Sequence, residues 1–255
     1  MNSLVIQNAG KMLAVATLVV WTTPCGLAAA GQTNSPPATH VTRCDLFSHG
    51  MTVGHGRILR TPTLRDGRPC VEVRLMMETH VNLLVFKLSM KMDEAWISDA
   101  SGLIAYTWDS TENGKHTAIT GELRDGVFRF EIVEDGNKRF WSTPRTSFDV
   151  ASISCQPGSV LTNGETRNVR VLDPSTCTLS ERVYRGTGTG KMTVGKSPIA
   201  CDTVMIEYSG THLQRWFIAD EFGPLILRED SDQKRGSYSR CATDMEQKMG
   251  ETNGK

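Results

Sequence analysis

Between Arg65 and Gly136 the chain writes an Asp-Gly or Asn-Gly pair four times, as Asp66-Gly67, Asn113-Gly114, Asp125-Gly126 and Asp135-Gly136. Asp and Asn tolerate the left-handed backbone and Gly adopts it without steric cost, so each pair fits a two-residue turn between antiparallel strands. The runs between such turns alternate. Val71, Val73, Leu75 and Met77 interleave with Glu72, Arg74 and Glu78, and that period of two marks a half-buried strand. A longer run places Leu84, Phe86, Leu88, Met90 and Met92 on one face against Lys87, Ser89, Lys91 and Asp93 on the other. Five consecutive apolar positions on one face exceed what a short hairpin needs, so this strand covers a broad core or lines a cavity.

One hairpin is written twice. Trp96-Ile-Ser-Asp99-Ala-Ser-Gly102-Leu-Ile104 is echoed by Trp216-Phe-Ile-Ala-Asp220-Glu-Phe-Gly223-Pro-Leu-Ile226, the tryptophans 216 − 96 = 120 residues apart. In each copy Asp can accept a bond from the backbone two residues on, and Gly takes positive φ. Cys70-Val-Glu-Val precedes the first copy and Cys201-Asp-Thr-Val the second. The chain therefore reads as two related meander halves, about 43–145 and 165–241, within a single β domain at 43–241. Residues 144–163 break the rhythm, and Ser147 is placed to start one helical turn there. The fold class is all-β: an antiparallel curled sheet or incomplete barrel built from two meander halves, with little helix.

Residues 1–30 read as a signal peptide. Lys11 precedes the apolar run Met12–Trp21, and Ala28, Ala29 and Ala30 supply small residues for cleavage. The run is half the length of a membrane helix, so the mature chain carries no transmembrane span, and initiation at Met12 is an alternative to Met1. The expected location is periplasmic or secreted. Residues 31–42, with Asn34-Ser-Pro-Pro37, read as a flexible linker, and 242–255 as a disordered tail. Six cysteines follow the signal: Cys44, Cys70, Cys155, Cys177, Cys201 and Cys241. An even number in an exported chain reads as disulfides. One pairing joins Cys44 to Cys241, Cys177 to Cys201 and Cys70 to Cys155.

The order of these features resembles a family of exported bacterial proteins known only as a domain of unknown function. The resemblance rests on His49-Gly-Met-Thr-Val-Gly54, the strand Trp96–Leu103, the turn Asn113-Gly114-Lys115, Leu172-Asp173 and the closing hairpin Trp216–Gly223. Six mature cysteines and an extra residue between Trp216 and Asp220 depart from its pattern. Such a family is similar at fold level to periplasmic lipoprotein carriers, whose open half-barrels hold acyl chains. The resemblance supplies no active site to carry over to this chain.

The 28 basic and 28 acidic residues cancel, which argues against nucleic acid as a partner. No G-x-S-x-G and no C-x-x-C is present, so neither a serine hydrolase nor a thiol oxidoreductase is signalled. Glu229-Asp230, Asp232 and Asp93-Glu94 pair carboxylates, but beside turns they read as solvated. Met76, Met77, His80, Met90 and Met92 crowd two strands as soft ligands would for Cu(I), although methionine more commonly fills a core. No metal or cofactor is expected. The apolar face Leu84, Phe86, Leu88, Met90, Met92, with Phe128 and Phe130, is the candidate ligand-binding surface. The expectation is an exported envelope protein that binds an apolar ligand, a lipid or lipidated component, without catalysis. The alternative is a disulfide-stabilised structural or protein-interaction module of the envelope.

Overall fold

The computed structural model describes residues 38–83, 86–153, 161–220, 222–233 and 236–248. The expected signal peptide, Leu84 and Cys155 lie outside the described residues. Among them the chain forms β1 (Thr39–Ser48), β2 (Met51–Arg65), β3 (Arg68–Leu83), β4 (Phe86–Asp99), β5 (Gly102–Glu112), β6 (Lys115–Arg124), β7 (Val127–Glu134) and β8 (Asn137–Pro144). After one 3-10 turn at Arg145–Ser147 come β9 (Val150–Ala151), β10 (Thr166–Asp173), β11 (Thr178–Val194), β12 (Ser197–Tyr208), β13 (Thr211–Asp220), β14 (Gly223–Gln233) and β15 (Gly236–Lys248). The chain is all-β with little helix, as the turn spacing predicts.

All four expected turns place both residues at positive φ. Asp66 and Gly67 stand at 51° and 74°, and Asp135 and Gly136 at 48° and 85°, as the hairpin geometry that matches strand twist requires. His49-Gly50 and Ser209-Gly210 turn in the same way. The repeated hairpin also behaves as its chemistry dictates. Asp99 accepts the backbone N–H of Ser101 at 2.7 Å, and Asp220 accepts that of Phe222 at 2.9 Å. Each copy carries a bulge just before its turn, at Ile97/Ser98 and at Trp216/Phe217.

Across the single sheet the order runs from β8 down to β1, then from β15 down to β9. The hydrogen-bonded order does not close on itself, and β8 and β9 are the two edges of the sheet. β1 and β15 join the two halves from Thr39↔Lys248 to Ser48↔Tyr238, while β9 lies parallel to β10 through Val150↔Val171 and Ala151↔Leu172. The two halves pack against each other. One apolar cluster unites Tyr106, Phe128, Phe130 and Ile132 with Ala151 and Leu172, and another unites Ile58, Leu75 and Met92 with Val194, Leu225 and Leu227.

Three expectations are corrected. First, residues 39–42 are paired strand rather than linker, and 242–248 are paired strand rather than tail. Each end looks polar alone; pairing with the other supplies its backbone partners. Second, the turn at Arg145–Ser147 precedes the expected helical start, and Phe148 after it is extended. Third, Cys44, Cys70, Cys177, Cys201 and Cys241 are free thiols. Cys44 lies opposite Ala242 and Cys241 opposite Asp45, so the pleat points the two sulfurs to opposite faces of the sheet. Cys201 lies opposite Gly190, which is 190 − 177 = 13 residues along the strand from Cys177, roughly 40 Å of extended chain. A disulfide needs its Cα atoms within about 7 Å.

Candidate functional site

Alternation on β2, β3 and β4 sends Ile58, Val73, Leu75, Met77, Met92 and Trp96 to one face. Cross-strand register sets Ile58 beside Leu75, Met77 beside Met92 and Val73 beside Trp96. These side chains form one wall of a cavity of about 330 Å³, which Trp108 and Leu225 extend. Its other boundary is charged. Arg215, Glu229 and Arg240 stand in register across β13, β14 and β15, and Arg60, Glu94, Asp173 and Arg182 also face the space. Arg60, Glu94, Arg182, Arg215 and Glu229 are all buried.

Buried charge persists only when it is paired and hydrogen-bonded, and most of these groups are. The Arg60 guanidinium donates twice to Asp220, at 2.9 and 2.5 Å. Arg182 meets Asp173 at 3.4 Å and lies over the Tyr208 ring at 4.2 Å. Arg215 Nε donates to Glu229 Oε2 at 2.5 Å, and the Tyr238 hydroxyl donates to Oε1 at 2.9 Å. Burial works to raise the Glu229 carboxyl, but the charges of Arg215 and Arg240, with the bonds from Tyr238 and Arg215, outweigh it and hold the group well below its ordinary value. Glu94 differs. Burial raises its carboxyl to about 7, against the hydrogen bond from Tyr106 and the more distant charge of Arg240. Near neutrality it is therefore divided between a charged acceptor and a neutral acid that can donate.

Of the four apolar residues singled out from the sequence whose side chains are described, Met90, Met92, Phe128 and Phe130, Met92 alone lines this cavity. Met90 is half-buried beside Thr79 and Glu112. Phe128 and Phe130 stack at 4.8 Å, almost wholly buried in packed core. Leu84 and the side chains of Phe86 and Leu88 lie outside the described residues. Glu94 and Glu229, read as solvated, are interior groups. The signal for Glu94 was present, because positions 90, 92, 94 and 96 share one face of β4, so it follows Met92 inward. Arg215 likewise falls between Leu213 and Phe217, both buried.

The methionines proposed as soft ligands are split by the same alternation. Met77 and Met92 face the cavity, while Met76 sits on the other face, where its sulfur accepts from Arg57 at 3.5 Å. Among the described residues no three His, Cys, Asp or Glu side chains converge as a metal site would require, and no helix is long and apolar enough to cross a membrane. No protein-family model, curated protein or solved structure matches the chain.

Proposed function

We propose that this chain is an exported binding protein that holds an apolar ligand between the two halves of its sheet and performs no chemistry on it. The observation that carries the reading is the apolar wall of Ile58, Val73, Leu75, Met77, Met92, Trp96 and Trp108, which borders a cavity beside the cluster it shares with Val194, Leu225 and Leu227. Its volume stands at the small end of the roughly 300–1,000 Å³ typical of small-molecule sites. Burial of hydrocarbon against that wall, at about 25 cal/mol per Å², supplies the driving force.

Export is inferred from the Lys11–Ala30 pattern, and the free thiols are compatible with it. Burial is the main influence raising the thiols of Cys44, Cys177, Cys201 and Cys241, which suppresses the thiolate that oxidation needs.

Calorimetric titration with 1-decanol tests the reading. Saturable binding is expected in the native protein, with loss in Met77→Trp, whose indole fills the space beside Met92. Absence of binding in the native protein, or undiminished binding in a folded Met77→Trp variant, contradicts it.

A further inference from the structure

We propose that the occupant of this cavity is an acidic amphiphile whose anionic head is held by Arg240 while its hydrocarbon lies on the Met77–Met92–Trp96 wall. The proposal rests on the binding reading above and specifies the chemistry of the ligand. Four guanidinium groups face the cavity or its rim: Arg60, Arg182, Arg215 and Arg240. Three are committed, Arg60 to Asp220, Arg182 to Asp173 and Arg215 to Glu229. Arg240 lies opposite Glu229 in the sheet, yet the oxygens of Glu229 are bonded by Arg215 and Tyr238. Among the described residues Arg240 makes no side-chain hydrogen bond and no ion pair.

The row Arg215–Glu229–Arg240 thus sets two positive charges around one negative charge, and the planar fork of Arg240 keeps its donors for another acceptor. Carboxylates and phosphates match that fork in a way an alcohol or ester cannot. Two neighbouring groups favour an anion further. Arg60, buried and lining the same cavity, has no hydrogen-bond acceptor for its Nε–H. Glu94 faces the space with Tyr106 bonded to one oxygen, and its protonated form can donate to a bound anion.

The test compares decanoate, decyl phosphate and 1-decanol by titration calorimetry at pH 6 in the native protein, Arg240→Gln and Arg240→Lys. A charge-assisted hydrogen bond contributes about 1.5–3 kcal/mol, so at least one acid should bind roughly ten- to a hundredfold tighter than the alcohol. Whichever acid binds tighter distinguishes a fatty-acid head from a phosphate head. Arg240→Gln should abolish the preference for acid over alcohol, and Arg240→Lys should restore part of it. Equal binding of acids and alcohol, or a preference that survives Arg240→Gln, overturns the proposal while the binding reading stands. Binding of none of the three overturns both.

Discussion

The Tyr106 hydroxyl donates to Glu94 Oε1 at 2.9 Å, and both residues are buried where β4 and β5 cross the interior. Glu94 titrates near 7 in the folded chain, against an ordinary 4.5. Between those values the folded chain holds more proton on this group than the unfolded chain does. The group's stabilisation is therefore complete below about pH 4.5 and is lost as pH rises to about 7, a change on the order of 3 kcal/mol. Glu94→Gln keeps an acceptor for Tyr106 and removes the titration. Urea melts at pH 4 and pH 8 should show the variant gaining on the native protein by that order; parallel stability profiles would contradict the assignment.

Glu229 titrates in the opposite sense. Its depressed carboxyl contributes stability that is present above the ordinary 4.5 and is lost as pH falls through its lower folded value. Glu229→Gln leaves Arg215 and Arg240 facing each other in the interior, and removal of one partner from a buried pair costs about 3–5 kcal/mol. The same melts at pH 7 should register that loss, and the deficit should narrow as the buffer is taken below pH 4. A deficit that does not change with pH would show that the charge of Glu229 is not what matters.

Gly121 lies opposite Phe130 on β7, and a Cβ there would come within 2.6 Å of the Phe130 ring and 2.8 Å of the Phe128 ring. Neither ring has room to retreat in the cluster they share with Tyr106 and Ile132. Gly121→Ala should lower stability by about 1–3 kcal/mol through overpacking. Gly190→Ala is the control, since its Cβ would meet nothing nearer than 3.4 Å. Equal melting temperatures for the two variants would contradict the packing described.

Without reductant, iodoacetamide should label Cys44, Cys70, Cys177, Cys201 and Cys241 fully in urea. In native buffer Cys177, raised to about 11 mainly by burial, should react far more slowly, because the thiolate is the reactive species. Peptide mass mapping reads both states. Recovery of any two of these cysteines as a disulfide would contradict the free thiols.

Much of the architecture was legible because it is written in local chemistry. Asp66-Gly67 and Asp125-Gly126 state where strands end, and the alternation from Val71 to Met77 states which face is buried. The pairing of the two ends of the sheet domain was not legible, since Ala242–Lys248 is mostly polar and its strand partner, Thr39–Cys44, lies far away in sequence. The cysteine count misled because sharing a neighbourhood does not align sulfurs: one step of the pleat separates Cys44 from Cys241. At the site, the apolar half of the wall followed from periodicity. The charged half was discounted because carboxylates near turns usually meet water, although the parity of β4 already assigned Glu94 to the face of Met92. Arg240 gave no signal, because its neighbour Ala242 becomes interior only when β15 is placed between β1 and β14.

A 1-decanol brominated at its terminal carbon tests the central claim most directly, because bromine quenches tryptophan only at close range and Trp96 and Trp108 line the cavity. Titration should quench the native protein saturably, and the quenching should disappear in the Trp96→Phe, Trp108→Phe double variant, which retains Trp141 and Trp216. Quenching that is absent from the native protein, or that persists unchanged in the folded double variant, would contradict a ligand seated between the two halves of the sheet.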